Sequence, residues 1–232
     1  MKKILLLILL LFFAENKVYS ADLGNLGTIN ATVGAASQKY SRGFVSNRNQ
    51  PTSFLYLDYV SPAGFYINSA LTYDKSDSGS YSNEWCNTPG YKNRIDKITI
   101  NLSYQLCEYQ TVTQYGYYQI KLNGEVTNLT NIFFNYYIDD TGSSYNSART
   151  QSYAGNGKEF GLTHNFGIAT GTLRSFIWDN YSTTYSVGAS KLIYDVNVDL
   201  FYHQTKLEDW NSAASKSASD RGHLILTVKK IF

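Results

Sequence analysis

The 232-residue sequence has little proline, cysteine and histidine, with three, two and three copies respectively. The two cysteines and three histidines show no Cys/His spacing typical of a metal site. No stretch after residue 20 approaches the roughly 20 apolar residues that a membrane-spanning helix needs. If the mature protein is integral to a membrane, it must therefore cross that membrane as β-strands.

The N-terminus has the pattern of a secretory signal. The basic start Met1-Lys2-Lys3 precedes an apolar run over 4–14 and the residues Val18-Tyr19-Ser20. This order predicts a signal peptide at 1–20, cleaved after Ser20 or after Ala21, and one mature domain at 21–232. The run is too short to span a bilayer as a helix. It has no cysteine at its end, which excludes a lipoprotein anchor.

The mature chain has no excess of either charge. The full chain has 20 basic and 18 acidic residues, and removing Lys2, Lys3, Lys17 and Glu15 leaves 17 of each. Nothing in this balance indicates a nucleic-acid partner.

Aromatic residues are abundant, with 21 tyrosines and 12 phenylalanines, which suits β-strands. Polar and apolar residues alternate along the mature chain at spacings too short for intervening helices. The pattern predicts strands at 27–38, 52–60, 64–74, 95–105, 106–113, 115–126, 130–139, 157–166, 168–178, 183–191, 193–204 and 222–232. Short turns, including one at Lys191-Leu192, alternate with longer connections at 39–51, 75–94, 140–156 and 205–221.

These features predict an all-β fold, a transmembrane antiparallel up-and-down β-barrel with short turns at one rim and long loops at the other. Twelve strands are expected, and ten remain an alternative if 106–113 is not a strand. No domain boundary or internal repeat is evident.

Each strand has one apolar and one polar face. The strand at 193–204 places Val196, Val198 and Leu200 opposite Asp195, Asn197 and Asp199. A soluble barrel with the apolar faces inside would show the same alternation. The chain ends favour the membrane, because the secretory signal is matched by a last strand that stops at a terminal aromatic residue. The residues that form this predicted barrel-insertion signal, read by the outer-membrane barrel-assembly machinery, are Leu224, Leu226, Val228 and Phe232.

A motif of Tyr40, Arg42, Gly43 and Ser46, with Pro51 and then Gly64-Phe65-Tyr66, resembles the opening of the TorF family of porins, also named the Gcw family. The later hairpins and Phe232 are similar to that family at low identity. The resemblance implies twelve strands and an outer-membrane location. Arg42 is expected either to anchor the first loop or to fold inward as a constriction charge, and the anchor is favoured.

Cys86 and Cys107 could form a disulfide in an oxidising compartment. The predicted strands argue against it, because they place Cys86 in the long loop 75–94 and Cys107 near the opposite rim. A disulfide requires Cα atoms within roughly 7 Å.

The inward faces are expected to carry charges of both signs. The predicted pore-lining residues are Asp58, Lys97, Lys121, Glu125, Glu159, Arg174, Asp195, Asp199 and Lys229. These charges either line an aqueous pore or pair across a narrow barrel and close it. The large inward residues Tyr66, Tyr117, Phe133 and Tyr137 are expected to narrow it further.

The predicted function is a narrow porin for passive diffusion of small polar solutes, with membrane lipid as its surroundings and no catalytic residue, metal or cofactor. The alternative is a closed structural or adhesin-like barrel acting through loops that contain Tyr81, Trp85, Tyr91 and Trp210. A third class, a lipid-modifying enzyme, would require a serine beside one of His164, His203 and His223. A loop cation at Asp74, Asp77 and Glu84 is a further, less favoured possibility.

Overall fold

The structure is a computed structural model and describes residues 21–41, 44–45, 50–75, 81–109, 113–139, 156–178, 182–207 and 222–232. The predicted signal peptide lies outside these residues. Within them, no helix has the length and apolar character needed to cross a membrane. A single turn of 3-10 helix covers Gly24–Leu26.

Alternating, aromatic-rich segments form the strands. In chain order they are β1 Ala21–Asp22, β2 Thr28–Ala36, β3 Tyr40–Ser41, β4 Phe44–Val45, β5 Thr52–Val60, β6 Phe65–Lys75, β7 Tyr81–Ile95, β8 Ile98–Tyr109, β9 Thr113–Glu125, β10 Thr130–Asp139, β11 Gly157–Asn165, β12 Thr170–Trp178, β13 Ser182–Ile193, β14 Val196–Leu207 and β15 Gly222–Ile231.

The sheet closes on itself. β2 pairs with β5, each strand from β5 to β15 pairs antiparallel with the next, and β15 pairs back onto β2. The closing register runs from Thr32↔Ile231 to Ala36↔Thr227. β1 is one extra strand that pairs with β2 at Ala21↔Ile29. The predicted twelve-stranded antiparallel barrel is confirmed.

The two rims differ. Short turns at 61–64, 96–97, 126–129, 166–169 and 194–195 form one rim, and the other holds the connections 37–51, 76–80, 110–112, 140–156, 179–181 and 208–221. At 194–195 both central residues have positive φ, 47° for Tyr194 and 64° for Asp195. A two-residue type I′ hairpin requires such values at both positions. The turn predicted at Lys191-Leu192 is therefore wrong, because β13 continues to Ile193.

The prediction of a long loop at 75–94 is wrong as well. β7 occupies 81–95 and pairs with both β6 and β8. The sequence did not indicate this strand, because it has many polar residues and contains Pro89. Proline within a sheet is normally confined to edge strands, to the first residue of a strand or to bulges. The β7–β8 ladder skips residues 88 and 89, which is how the sheet accommodates a residue without an N–H group.

The predicted short strand at 106–113 is not a separate strand, since 106–109 complete β8. The predicted count of twelve was right only because this extra strand compensated for the missing β7.

The outward faces carry exposed apolar side chains, as the alternation predicts. Six of them, between 46% and 54% exposed, are Leu57, Leu102, Ile132, Leu173, Val187 and Leu200. In the last strand Leu224 and Leu226 are also exposed, whereas Val228 farther along the same face is buried. The main chain of Phe232 exchanges two hydrogen bonds with Ala31 of β2, which extends the closure to the last residue.

Cys86 of β7 and Cys107 of β8 face each other in register and form a disulfide with their Cα atoms 4.0 Å apart. The expectation that they lie at opposite rims is wrong for the same reason as the missing strand. The bridge lies three residues from Pro89. It therefore joins the two strands close to the gap in their ladder.

We predict that the cysteines of the purified oxidised protein are unreactive toward a maleimide after denaturation and become reactive only after reduction. The double variant Cys86→Ser/Cys107→Ser should unfold at a lower urea concentration. Its free energy of unfolding should fall by about 3 kcal/mol, the effect expected for a closed loop of this size. Midpoints measured in detergent micelles test this. Thiol labelling of the denatured, unreduced protein would contradict the bridge.

Candidate functional site in the barrel lumen

The inward faces of the strands carry polar and aromatic side chains, and glycines make room for some of the rings. A Cβ at Gly34 of β2 would lie 2.3 Å from the Phe54 ring, and one at Gly188 of β13 would lie 2.5 Å from the Phe201 ring. Both rings therefore lie against the neighbouring strand at a glycine. A ring that pointed toward the barrel axis would fill part of the lumen, whereas these two rings lie along the wall and leave that space open.

Four of the predicted pore-lining residues form two ion pairs. Lys229 Nζ lies 2.8 Å from Asp199 Oδ2, and Arg174 Nη1 lies 3.5 Å from Glu159 Oε1. Glu159 also accepts a hydrogen bond from Asn135 at 2.8 Å. Each charge thus has a partner of opposite sign, which reduces the cost of holding it inside the barrel.

The other predicted lining residues divide by position. Asp58 and Lys121 are partly buried on inward faces, and Asp58 accepts a hydrogen bond from the Asn68 amide. Glu125 lies at the end of β9 and pairs with Arg94 at 2.6 Å. Lys97 and Asp195 do not line the lumen, because each is an exposed residue of a two-residue turn. The prediction that these two residues line the pore was wrong, because the alternation of inward and outward side chains does not continue through a turn.

The predicted large inward residues contact one another and neighbouring polar groups. Tyr66 donates a hydrogen bond to Asn101 at 2.7 Å, and Tyr117 donates one to Gln105. Tyr137 lies 5.9 Å from Tyr117 between ring centroids. The ring of Phe133 reaches within 2.7 Å of the position that a Cβ at Gly161 would take.

Residues 38–40 of the first long connection fold into the lumen, and we call them the crossbar. Lys39 Nζ lies 2.7 Å from Asp74 Oδ2 on β6 and 2.9 Å from Glu84 Oε2 on β7. Burial lowers the pKa of Lys39, but Glu84 and Asp74 raise it by more, so the net pKa lies above the ordinary 10.5. The ammonium is therefore charged at neutral pH. Thr52 also donates a hydrogen bond to Asp74.

Tyr40 attaches the crossbar to the other side of the barrel. Its ring stacks on His203 of β14, with centroids 4.0 Å apart, and lies 4.7 Å from the guanidinium carbon of Arg174 on β12. The same guanidinium carbon lies 5.1 Å from the Phe201 ring. Cation–π contacts of this kind stabilise an arginine beside an aromatic face. The crossbar therefore spans the lumen from β6 and β7 to β12 and β14.

Sequence reasoning singled out Tyr40 and Pro51 only as parts of a motif and missed Lys39. Arg42, Gly43 and Ser46 lie outside the described residues, so the expected anchoring by Arg42 stays a prediction. The one sequence signal for the crossbar was the basic and aromatic pair Lys39-Tyr40 directly after a strand.

A cavity of about 620 Å³ extends from the crossbar toward the short-turn rim, and we call it the chamber. Lys39 and Tyr40 line it at one end, and Ser190 and Asn197 line it near the other. Its remaining lining residues include Phe54, Tyr56, Asn68, Gln105, Arg174, Asp199, Phe201, Thr227 and Lys229. Its size is typical of small-molecule sites, which enclose about 300–1,000 Å³.

A serine–histidine pair is present in the lumen. Ser186 Oγ lies 2.8 Å from His203 Nδ1, and both residues are 2% exposed. Asp199, four residues before His203 in the sequence, pairs with Lys229. Because Tyr40 covers the imidazole, the arrangement attaches the crossbar and does not present a nucleophile to lipid.

Two other sequence hypotheses lose their support. Asp74 and Glu84, considered as ligands of a loop cation, hold the Lys39 ammonium, and Asp77 lies outside the described residues. Trp85 and Tyr91, considered as loop aromatics of an adhesin, lie on β7 with 52% and 38% of their surface exposed. The side chain of Tyr81 and all of Trp210 lie outside the described parts.

The geometry defines a porin-type barrel fold. Among solved structures the chain is similar to a KdgM porin, with a TM-score of 0.61, 10% identity, and coverage of 88% of this chain and 98% of that chain. It is also similar to a KdgM porin in complex with disordered oligogalacturonate, at TM-score 0.58, 11% identity, 88% of this chain and 97% of that one. A NanC porin matches with TM-score 0.56, 11% identity, and 88% and 98% coverage.

At these identities the likeness concerns the fold. No family model and no curated protein matches the sequence. The resemblance to the TorF family therefore stays a prediction.

We predict that Lys39→Met destabilises the barrel by about 1–3 kcal/mol, because Asp74 and Glu84 would remain facing each other without a cation. Adding Asp74→Asn and Glu84→Gln should restore part of the loss. The pKa of Lys39 is raised above 10.5. The difference in free energy of unfolding between the parent and Lys39→Met should therefore persist below that pH and shrink as the pH rises further. Equal urea midpoints of Lys39→Met and the parent at neutral pH would contradict the assignment.

Proposed function

We propose that this protein is an outer-membrane porin that lets small polar solutes diffuse passively through a narrow lumen. The observation that carries the proposal is the polar chamber of about 620 Å³ inside a closed twelve-stranded barrel. Barrels of about eight strands are filled by side chains, whereas 16–18 strands leave a wide channel. A twelve-stranded barrel with a chamber fits a narrow passage.

The outward surface supports the membrane location. A band of half-exposed aliphatic side chains covers the outer faces, and burying such a surface in hydrocarbon is favourable. One rim has only short turns, and the other has the three longest connections, 37–51, 140–156 and 208–221, which is typical of outer-membrane barrels.

The inner surface supports passive diffusion. Charges of both signs stand in pairs along the wall, and such pairs form local fields across a channel without a strong net potential. The crossbar narrows the route, so width limits passage. The solved neighbours are porins, one of them described in complex with disordered oligogalacturonate, which fits a passage for polar solutes.

We predict that the purified barrel conducts ions in planar bilayers and that Tyr40→Ala raises the single-channel conductance, because it removes the crossbar's contact with His203 and Arg174. Tyr185→Ala is the matched control, since Tyr185 is 58% exposed on the outer face of β13. Its conductance should equal that of the parent.

A correctly folded, heat-modifiable barrel without conductance, for both the parent and Tyr40→Ala, would refute the porin proposal. Equal conductance of Tyr40→Ala and the parent would show that the crossbar does not limit the flow.

The membrane location has its own test. We predict that Leu200→Arg, on the outer face of β14, lowers the free energy of unfolding in lipid vesicles by about 2–4 kcal/mol. Ile98→Arg, on the outer face of β8 beside the short turn at 96–97, should cost about 0–1 kcal/mol because its charge reaches water. Urea titrations of both variants in the same vesicles give the comparison. Equal costs would argue against a lipid-facing band.

A further inference from the structure

We propose that the chamber is a binding site for an uncharged saccharide, a monosaccharide or a disaccharide. This inference rests on the porin function proposed above and adds the class of solute. A pyranose has C–H groups on its faces and hydroxyl groups around its edge. It therefore requires aromatic surfaces together with both donors and acceptors, and the chamber offers all three.

The aromatic surfaces lie on two sides of the chamber. Phe54 and Tyr56 of β5 stack on each other with centroids 4.7 Å apart, and both line the chamber. Phe201 of β14 lines it from another side. Because Phe54 and Phe201 rest at glycines, they line the chamber without filling it. The chamber therefore combines aromatic surfaces with a wall that is otherwise mostly polar.

The chamber also has a donor and an acceptor whose hydrogen-bonding capacity is unused. In the part of the chain that the structure describes, Arg174 Nε and Asp199 Oδ1 are buried and have no hydrogen-bond partner. Buried polar atoms of folded proteins are nearly always paired, so such atoms beside a cavity indicate a ligand or water that bonds to them. A sugar hydroxyl can donate to Asp199 and accept from Arg174, because it is both donor and acceptor.

Charge balance favours an uncharged solute over an acidic one. Arg174 is paired with Glu159, and Lys229 with Asp199, so each cation on the chamber wall has an adjacent anion. The crossbar cation Lys39 likewise lies between Asp74 and Glu84. A carboxylate solute would have to compete with these partners. A sugar hydroxyl group can instead form its hydrogen bonds with Arg174 Nε and Asp199 Oδ1 and leave these ion pairs intact.

The test is the block of ion current by added solutes in planar bilayers holding the full mature barrel. Cellobiose should reduce the current saturably at millimolar concentration, because a conducting site must release its solute. Digalacturonate, an acidic probe of similar size, and glycylglycine, a smaller zwitterionic probe, should block at least tenfold more weakly. The same solutes are also tested by equilibrium dialysis against the detergent-solubilised barrel.

Two variants connect the block to the chamber. Asp199→Asn keeps the shape of the acceptor but removes its charge, and Phe54→Leu removes one aromatic wall. Each should weaken cellobiose binding about tenfold with the barrel still folded. Phe160→Leu, on the outer face of β11, is the matched control for the ring and should leave binding unchanged.

Stronger block by digalacturonate or glycylglycine would overturn the saccharide class, as would cellobiose binding that is insensitive to both chamber variants. A conducting barrel that binds none of the three solutes would also overturn it and leave the porin function intact. A barrel without conductance would refute the porin function, and dialysis would then decide separately whether cellobiose binds.

Discussion

The rest of this structure depends on the pairing of β15 with β2. A sheet edge leaves a row of unpaired N–H and C=O groups, which hydrocarbon cannot solvate. The register from Thr32↔Ile231 to Ala36↔Thr227 removes both edges, and the main chain of Phe232 continues it at Ala31. Once closed, the sheet has only an outside and an inside. Alternation along the strands then places most aliphatic side chains outside and polar side chains, with several aromatic rings, inside.

The inside of the barrel is organised by pairing charges rather than by excluding them. Isolated charges in a narrow lumen would be costly, and opposite charges on neighbouring strands avoid that cost. Lys39 extends the same principle to a residue outside the barrel strands, because its ammonium lies between two carboxylates of different strands. Electrostatics therefore positions the first connection inside the lumen.

The sequence predicted the closed barrel and most strand faces, since these depend on local alternation and on turn residues. It failed where local composition and tertiary pairing disagree. β7 contains Pro89 and many polar residues, so it resembled a loop until neighbours on both sides held it in register. The disulfide was missed with it. Lys39 could not be predicted, because its partners are 35 and 45 residues away along the chain.

The crossbar also affects how easily the barrel can be deformed. A thin-walled cylinder made of one sheet flattens easily, because bending between strands costs little compared with breaking their ladders. Residues 38–40 connect the wall at β6 and β7 to the wall at β12 and β14, through an ion pair at one end and a stacked ring at the other. They act as an internal strut. The cross-section of the tube is thereby held to one shape along the line that joins those strands.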